Sequence, residues 1–171
     1  NAVSYEFSID SGAIFTSGTG TSFTLSEGTY TVDINQIQVR NSDSAGNTST
    51  TTNNSAQFTI DTVAPSSPSV SFPSGNTNNN VVTVTLATGA TSYEFSIDSG
   101  VNFSTGSGTS FQLSDGTYII HQIQVKNSDA AGNTSSETKN ILPIVLDTVA
   151  PSAPTVSFPV GTTQNNTVTV T

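Results

Sequence analysis

The sequence predicts an all-β protein built from tandem immunoglobulin-like β-sandwich domains, with about 86 residues in each repeat. Two observations lead to this fold class. The segment 61–65, Asp-Thr-Val-Ala-Pro, recurs unchanged at 147–151, which is 86 residues later. Between the two copies, short segments with alternating apolar and polar residues are separated by turn-forming residues, and no segment has a helical period. Seven short strands in 86 residues are typical of a small antiparallel sandwich.

The internal repeat covers most of the 171 residues and defines the domain organisation. Residues 4–12 recur at 92–100, and the beginning of a third copy matches 70–73 and 81–85. The predicted domains are a partial one at 1–61 with strands C to G, a complete one at 62–147, and strands A and B of a third at 148–171.

In the first copy, alternation predicts three short strands and one long one. Tyr5, Phe7 and Ile9 alternate with polar residues up to a turn at 10–12, and Phe23 to Leu25 and Phe58 to Ile60 are the other short strands. The long strand runs from Tyr30 to Arg40. Its alternation changes phase between Ile34 and Ile37, and the second copy changes phase between Ile120 and Ile123. A change of phase within a strand predicts a β-bulge.

The complete copy is predicted to have strands A to G, with a loop after Pro73. The run 74–80 is rich in Asn, Ser and Gly, which favours a loop. The predicted strands are A (68–72), B (81–87), C (92–97), a middle hairpin (101–113, with E at its end), F (118–127) and G (140–147).

Tyr30 and Tyr118 each stand just after a turn, at the start of the predicted strand F. This is the position of a tyrosine corner, in which the hydroxyl group bonds back to the backbone a few residues upstream. The alternative is an ordinary buried tyrosine.

Composition excludes several classes of function. The net charge is −9 and only Arg40, Lys126 and Lys139 are basic. The chain therefore lacks the positive charge that binding to the phosphates of nucleic acids or to anionic membranes requires. There is no Cys, and His121 is the single histidine, so neither a catalytic triad nor a His/Cys metal site can be assembled. We therefore expect a protein that is not an enzyme and has no membrane contact within this segment.

Two motifs at the repeat boundary carry a resemblance to a known family. Asp-x-Ala-Gly-Asn occurs at 43–47 and 129–133, and each copy is followed by Asp-Thr-Val-Ala-Pro-Ser-x-Pro. This pair resembles the tandem bacterial Ig-like domains of large repetitive surface adhesins. The resemblance implies extracellular extender domains, at a bacterial cell surface or in a secreted filament of a biofilm, and calcium at the domain junctions.

The residues themselves allow a calcium hypothesis beside that resemblance. Strand connectivity places one set of oxygen-bearing residues at each junction, and hard oxygen ligands suit Ca²⁺. In the alternative reading, the acids of the Asp-x-Ala-Gly-Asn turns cap those turns and the linker acids are solvated. The candidate ligands are Asp61, Glu27, Asp129 and Asn133 at one junction, and Asp147 and Asp115, facing a turn like that of Asp43 and Asn47, at the next.

The predicted function is structural, with neighbouring repeats as the partners. Pro65 and Pro151 fix φ within the boundary segments, which favours a stiff junction. One alternative is a homopolymer of identical chains joined head to tail, in which strands A and B of one chain complete the first domain of the next. The simpler explanation of the partial domains is that the chain is a window of a longer repetitive protein. A carbohydrate-binding module, the remaining alternative, would need exposed aromatic side chains.

Overall fold

A computed structural model describes residues 2–32, 36–164 and 166–171 of the chain. The chain divides into two compact units. The first contains Asn1–Ser66, Thr88–Thr91 and Asn127–Ser135, and the second contains Ser67–Ala87, Ser92–Lys126 and Ser136–Thr171. The described residues form strands and turns, and none of them belongs to a helix long and apolar enough to cross a membrane.

The first sequence copy, in the first unit, forms six strands in two sheets. One sheet has the order β2-β1-β4-β5 and the other pairs β3 with β6, all antiparallel. Their bounds are β1 Ser4–Ser8, β2 Thr16–Gly18, β3 Gly28–Tyr30, β4 Gln38–Ser42, β5 Thr52–Asn53 and β6 Phe58–Ile60.

The second copy forms ten strands in three sheets, with the orders β12-β9-β7, β11-β10-β14-β15 and β13-β16-β8. The pair β8–β16 is parallel. The bounds are β7 Ser69–Ser71, β8 Gly75–Thr77, β9 Val81–Thr85, β10 Ser92–Ser96, β11 Ser104–Gly106, β12 Ser110–Gln112, β13 Gly116–Tyr118, β14 Gln124–Ser128, β15 Thr138–Lys139 and β16 Ile144–Leu146. In the third copy, β17 (Val156–Ser157) pairs antiparallel with β18 (Thr169–Val170).

The hydrophobic core lies in the second unit and draws on the strands of the second copy. Burial of these apolar side chains is the main favourable term for the sandwich. Alternation in β9 shows how the core is built, since Val82 and Val84 are buried and Thr83 between them is exposed. The core residues are Val82, Val84, Tyr93, Phe111, Leu113, Tyr118, Ile123, Val125, Ile144 and Leu146.

The predicted long strand F is wrong as a single strand, and so is the bulge within it. Strand F breaks into β13 and β14, which lie in different sheets, and the predicted strand G (140–147) is the shorter β16, with β15 before it in another sheet. Between β13 and β14 the chain turns: the N–H of Gln122 donates to the Ile119 carbonyl oxygen (3.2 Å), and His121 has φ +64°. The phase of alternation changes because the chain passes from one sheet to another. The change in the first copy falls partly on 33–35, which lie outside the described residues.

Three smaller predictions are also wrong. The predicted loop 74–80 contains β8, because the chain after Pro73 pairs with β16. Residues 23–25 are not a strand, because no strand of the described first copy pairs with them. Ile9 is 43% exposed, because the chain turns after Ser8, whose buried hydroxyl accepts the N–H of Gly12 (2.9 Å).

A buried asparagine holds the point where the chain passes from one sheet to another, both between β13 and β14 and between β15 and β16. The Asn140 side chain accepts the N–H of Ile123 and donates to the carbonyl oxygens of Ile119 and Leu142, all at 2.9 Å. It is 1% exposed. Backbone polar groups that leave a ladder must be satisfied elsewhere, and one amide here satisfies three of them. Asn54 makes the equivalent bonds in the first copy, to Ile37, Thr31 and Ala56.

We expect Asn140→Ala to lower the free energy of unfolding of the second unit by about 3 kcal/mol, since three backbone groups lose their partner at about 1 kcal/mol each. Denaturant unfolding measures this loss. Ile141→Ala is the matched control, because Ile141 is adjacent but 75% exposed, and it should change stability by no more than about 0.5 kcal/mol. Equal, small losses in both variants would contradict the role given to Asn140.

Candidate functional site

Each Asp-x-Ala-Gly-Asn motif forms a turn closed by its own Asp and Asn. In the second copy, Asp129 Oδ1 accepts the N–H groups of Ala131 and Asn133, both at 2.9 Å. Asn133 Nδ2 donates to Asp129 Oδ2 (3.0 Å). The bond from the Asn133 side chain is the main cause that lowers the pKa of Asp129 below its usual value. Asp43 and Asn47 make the same bonds in the first copy, and the pKa of Asp43 is lowered for the same reason.

Within the first unit, the boundary segment 61–66 is hydrogen-bonded to this turn and to the strand before it. Asn133 Nδ2 donates to the carbonyl oxygen of Asp61 (2.9 Å), in addition to its bond with Asp129. Asn127, which is fully buried, donates from Nδ2 to the carbonyl oxygen of Ser66 (2.8 Å). Two side-chain amides therefore hold the two ends of the boundary segment.

The next residues of the chain, in the second unit, are held by a different set of bonds. Ser67 Oγ donates to the carbonyl oxygen of Ser136 (2.9 Å). Thr138 Oγ1 donates to the carbonyl oxygen of Pro68 (2.7 Å), and Pro68 is buried. The segment from 61 to 68 is thus anchored at three of its backbone carbonyl groups and at the side chain of Ser67, although it contains no strand.

The acid in the turn before each tyrosine binds the threonine that follows the last strand of its copy. Glu27 Oε1 accepts the N–H of Thr62 (3.1 Å) and also its hydroxyl. Asp115 Oδ1 accepts the N–H (3.1 Å) and the hydroxyl (2.9 Å) of Thr148. Asp61 and Asp147 each accept the N–H two residues on, from Val63 (3.1 Å) and Val149 (2.9 Å). These acids fix the conformation of the boundary segment.

The predicted calcium ligands are only partly brought together. Asp61, Asp129 and Asn133 meet in the first unit, but Asp61 contributes its backbone carbonyl group to the contact. Among the described residues, no three Asp, Glu or His side chains are grouped so that they could hold a metal ion. At least one oxygen of each of these carboxylates already accepts an N–H or O–H group, and the acids are not grouped as a calcium cage would require. Calcium binding stays a prediction that this geometry does not favour.

The structural residues predicted from the sequence occupy defined positions. The hydroxyl groups of Tyr30 and Tyr118 donate to the carbonyl oxygens of Ser26 and Ser114, both at 2.9 Å, which is the bond that a tyrosine corner makes. Pro65 is half-buried in the boundary segment of the first unit, and its counterpart Pro151 is exposed.

Sequence reasoning missed the residues that bind the boundary segment from the side. Thr62 and Thr148 lie inside the duplicated motif, but threonine is too common in this chain to stand out. Asn127 and its counterpart Asn41 recur at the same repeat position, as do Asn140 and Asn54. Duplication of a polar residue next to alternating apolar positions was the signal that could have found them.

Comparison with known proteins supports the fold and does not extend to a family. No family model matches the sequence, and no curated protein sequence matches it. Solved structures that match include fibronectin(III)-like modules of Clostridium thermocellum CbhA, with 14% sequence identity and a TM-score of 0.50. The match covers 85% of this chain and 78% of that chain. The predicted all-β fold of immunoglobulin-like sandwiches is confirmed, and at this identity the likeness shows the fold alone.

We expect Asn133→Ala to loosen the boundary segment, because the bond to Asp61 is lost together with the turn bond. A bond of about 1 kcal/mol corresponds to about fivefold faster cleavage when a protease acts on the opened segment. Limited proteolysis with mass spectrometry of the 61–66 cleavage sites measures this rate. Asn47→Ala, which removes the same turn bond in the first copy, is the matched control. Equal cleavage at 61–66 in both variants would show that the Asn133–Asp61 bond does not hold the segment.

We expect the melting temperature to be the same in EDTA and in millimolar calcium, because the junction carboxylates are already satisfied by protein donors. Scanning calorimetry measures it, with magnesium as the control for ionic screening. A calcium-specific rise of about 4 °C or more, equivalent to about 1 kcal/mol, would instead establish a metal site.

Proposed function

We propose that this chain is an extender segment of an extracellular repetitive adhesin or surface filament, in which sandwich domains are joined in series at stiffened boundaries. The observation that carries the proposal is the anchoring of residues 61–68 within the respective units. Asn133, Asn127 and Thr138 donate to carbonyl groups of the boundary, and the Ser67 side chain donates to the carbonyl group of Ser136. A boundary that is bonded along its length is stiffer than a free linker.

Proline supports the same proposal through its effect on the unfolded chain. Pro65 and Pro68 restrict the backbone before the chain folds, so ordering the boundary costs less conformational entropy. The residues just before Pro65 are fixed by two further bonds. Asp61 accepts the N–H of Val63, and Glu27 accepts the N–H of Thr62. Every part of the boundary is therefore restrained by a residue that the repeat supplies.

The proposal has no catalytic component. The fold that the chain shares is one that typically serves as a non-catalytic module, and the single histidine, His121, is an exposed turn residue with positive φ. The acids of the junction accept backbone N–H groups instead of facing a cleft. The location outside the cell and at a bacterial surface belongs to the proposal, and it rests on the resemblance of the repeat motifs.

A carbohydrate-binding module has the same general fold but needs an open aromatic platform. In the second unit, Tyr93, Phe111 and Tyr118 are core residues, and Phe95 packs against that core. Phe103 is covered by the Lys126 ammonium, which lies 4.4 Å from the ring centroid. The aromatic rings of the complete copy are thus engaged in packing, which favours the extender over the carbohydrate-binding role.

We expect small-angle scattering, extrapolated to zero concentration, to give a radius of gyration clearly above about 16 Å, the value for one compact domain of this length. Pro65→Gly should broaden the distribution of interatomic distances, because the boundary gains backbone freedom. A radius near 16 Å would contradict the extender proposal.

A further inference from the structure

The second copy carries an apolar patch on the outer face of its β13–β16 pair and on the bends beside it. The patch is continuous, because the Asn140 amide donates to the carbonyl oxygens of both Ile119 and Leu142, and β16 begins two residues after Leu142. Its side chains are each between 42% and 75% exposed. All of them lie in the second unit. The residues of this apolar patch are Ile119, Ile120, Ile141, Leu142 and Val145.

In the first copy the corresponding face is polar. There Thr29 and Thr59 lie opposite each other on β3 and β6, and a hydrogen bond of 2.9 Å joins their hydroxyl groups. In the second copy Thr117 lies opposite Val145, so an exposed valine replaces the second hydroxyl group. The patch is therefore a property of the second copy and not of the repeat. The other patch positions differ in the same direction: Ile119, Ile141 and Leu142 stand where the first copy has Thr31, Ser55 and Ala56.

The exposure of the patch does not come from the ends of the chain. The patch lies on the copy whose strands are complete in this sequence. In the first copy, which a complete copy follows, Ser55, Ala56 and Thr59 at the same repeat positions are exposed as well. These positions thus face outwards in the repeat itself. Contiguous exposed apolar side chains of this kind mark surfaces of interaction.

Opposite charges lie at the two ends of the patch. Lys139 precedes it and Asp147 follows it, each four residues from Pro143, and residues 140–146 between them are uncharged. Lys139 is also the basic residue with the loosest ion pair. Its ammonium lies 3.9 Å from a carboxylate oxygen, whereas Arg40 and Lys126 make ion pairs of 2.7 and 3.0 Å. The patch therefore has a basic end and an acidic end, which is the arrangement that a surface complementary to itself requires.

We propose that the apolar patches of two copies of this chain pack against each other about a two-fold axis near Pro143, so that the two segments 141–145 run antiparallel. Lys139 of each chain then faces Asp147 of the other, which gives two ion pairs in one contact. The β-branched side chains of the patch are suited to packing between two pleated surfaces. In the first copy Asn53 stands in the place of Lys139, so that copy lacks both the apolar side chains and the charge.

The contact is isologous, because both chains use the same patch, and it closes with two chains. A groove of about 310 Å³ beside Ile141 and Leu142, lined also by Val70 and Phe72, adds apolar surface for the side chains of the partner. The patch is small beside a standard interface, which has about 20–30 residues on each side, so we expect weak association. This side-by-side contact does not depend on the extender role, which concerns the boundary within a chain.

Sedimentation equilibrium of the 171-residue chain at low salt tests the association. We expect a mass of 17.6 kDa at low concentration that rises to twice this value, with a dissociation constant on the order of 10⁻⁴ M. Ile141→Ser combined with Val145→Thr introduces the residues of the first copy and should raise that constant at least about tenfold, because apolar area is no longer buried. Val101→Ala is the matched control. Val101 is 77% exposed outside the patch, the first copy has Ala13 there, and the variant should associate like the unchanged chain.

Charge reversal identifies the antiparallel register. Lys139→Glu places like charges opposite each other in both ion pairs, and so does Asp147→Lys, so each variant alone should associate about tenfold more weakly at low salt. An equimolar mixture of the two variants should regain the association, because both pairs of the mixed dimer then join opposite charges. The mixture also shows that both variants are folded.

Three results would each overturn the proposal. One is a mass that stays at 17.6 kDa over the whole concentration range. Another is an equal dissociation constant for the double variant and for Val101→Ala, including the case in which the mass rises beyond two chains, because the contact would then lie elsewhere. The third is a mixture of the charge variants that associates no better than its two components.

Discussion

The architecture of each repeat depends on one buried amide at the point where two strands change sheets. At that point the backbone of β13–β14 and of β15–β16 leaves one ladder before it joins the next, and some of its polar groups lose their ladder partners. Asn140 satisfies three of them from a position with 1% exposure, and Asn54 does the same in the first copy. The sheet change lets one pair of strands line the core at one end and carry the Asp-x-Ala-Gly-Asn turn at the other. The position of the boundary segment follows from that turn.

The alternation of apolar residues was sufficient to predict the fold class and most of the strands. It was not sufficient to predict the sheet change, because the signal for it is a polar residue. Asn140 stands beside apolar residues, where a sequence pattern favours the end of a strand. It stabilises the sheet change through bonds to Ile119 and Ile123, which are distant in the chain, and to the nearby Leu142. The phase change before Ile123 was visible in the sequence, but a bulge and a change of sheet produce the same pattern. Only pairing partners distinguish them, and these are non-local.

The candidate site shows a similar limit. The duplicated acids Asp61, Asp129 and Asp115 were singled out from the sequence, because an acid recurs at each of these repeat positions. The sequence did not determine their role, since the same acidic residue can accept backbone N–H groups or bind calcium. The backbone N–H groups of Ala131 and Asn133 that donate to Asp129 favour the first role, and so does the N–H of Val63 that donates to Asp61. Thr62 and Thr148, which bind Glu27 and Asp115, were overlooked because they bond through groups that any turn residue could offer.

Identical residues in the two copies have different surroundings. Asn127 is fully buried and bonded to Ser66, whereas Asn41, at the same repeat position, is exposed. Tyr93 is covered because Val82 and Val84 lie against the strands beside it, and these valines precede it by a full loop. Strands β7 and β9 therefore contribute to the core of the second copy. In an array of such repeats, stability is a property of neighbouring segments, as it is in other repeat proteins in which nearest-neighbour contacts carry much of the free energy.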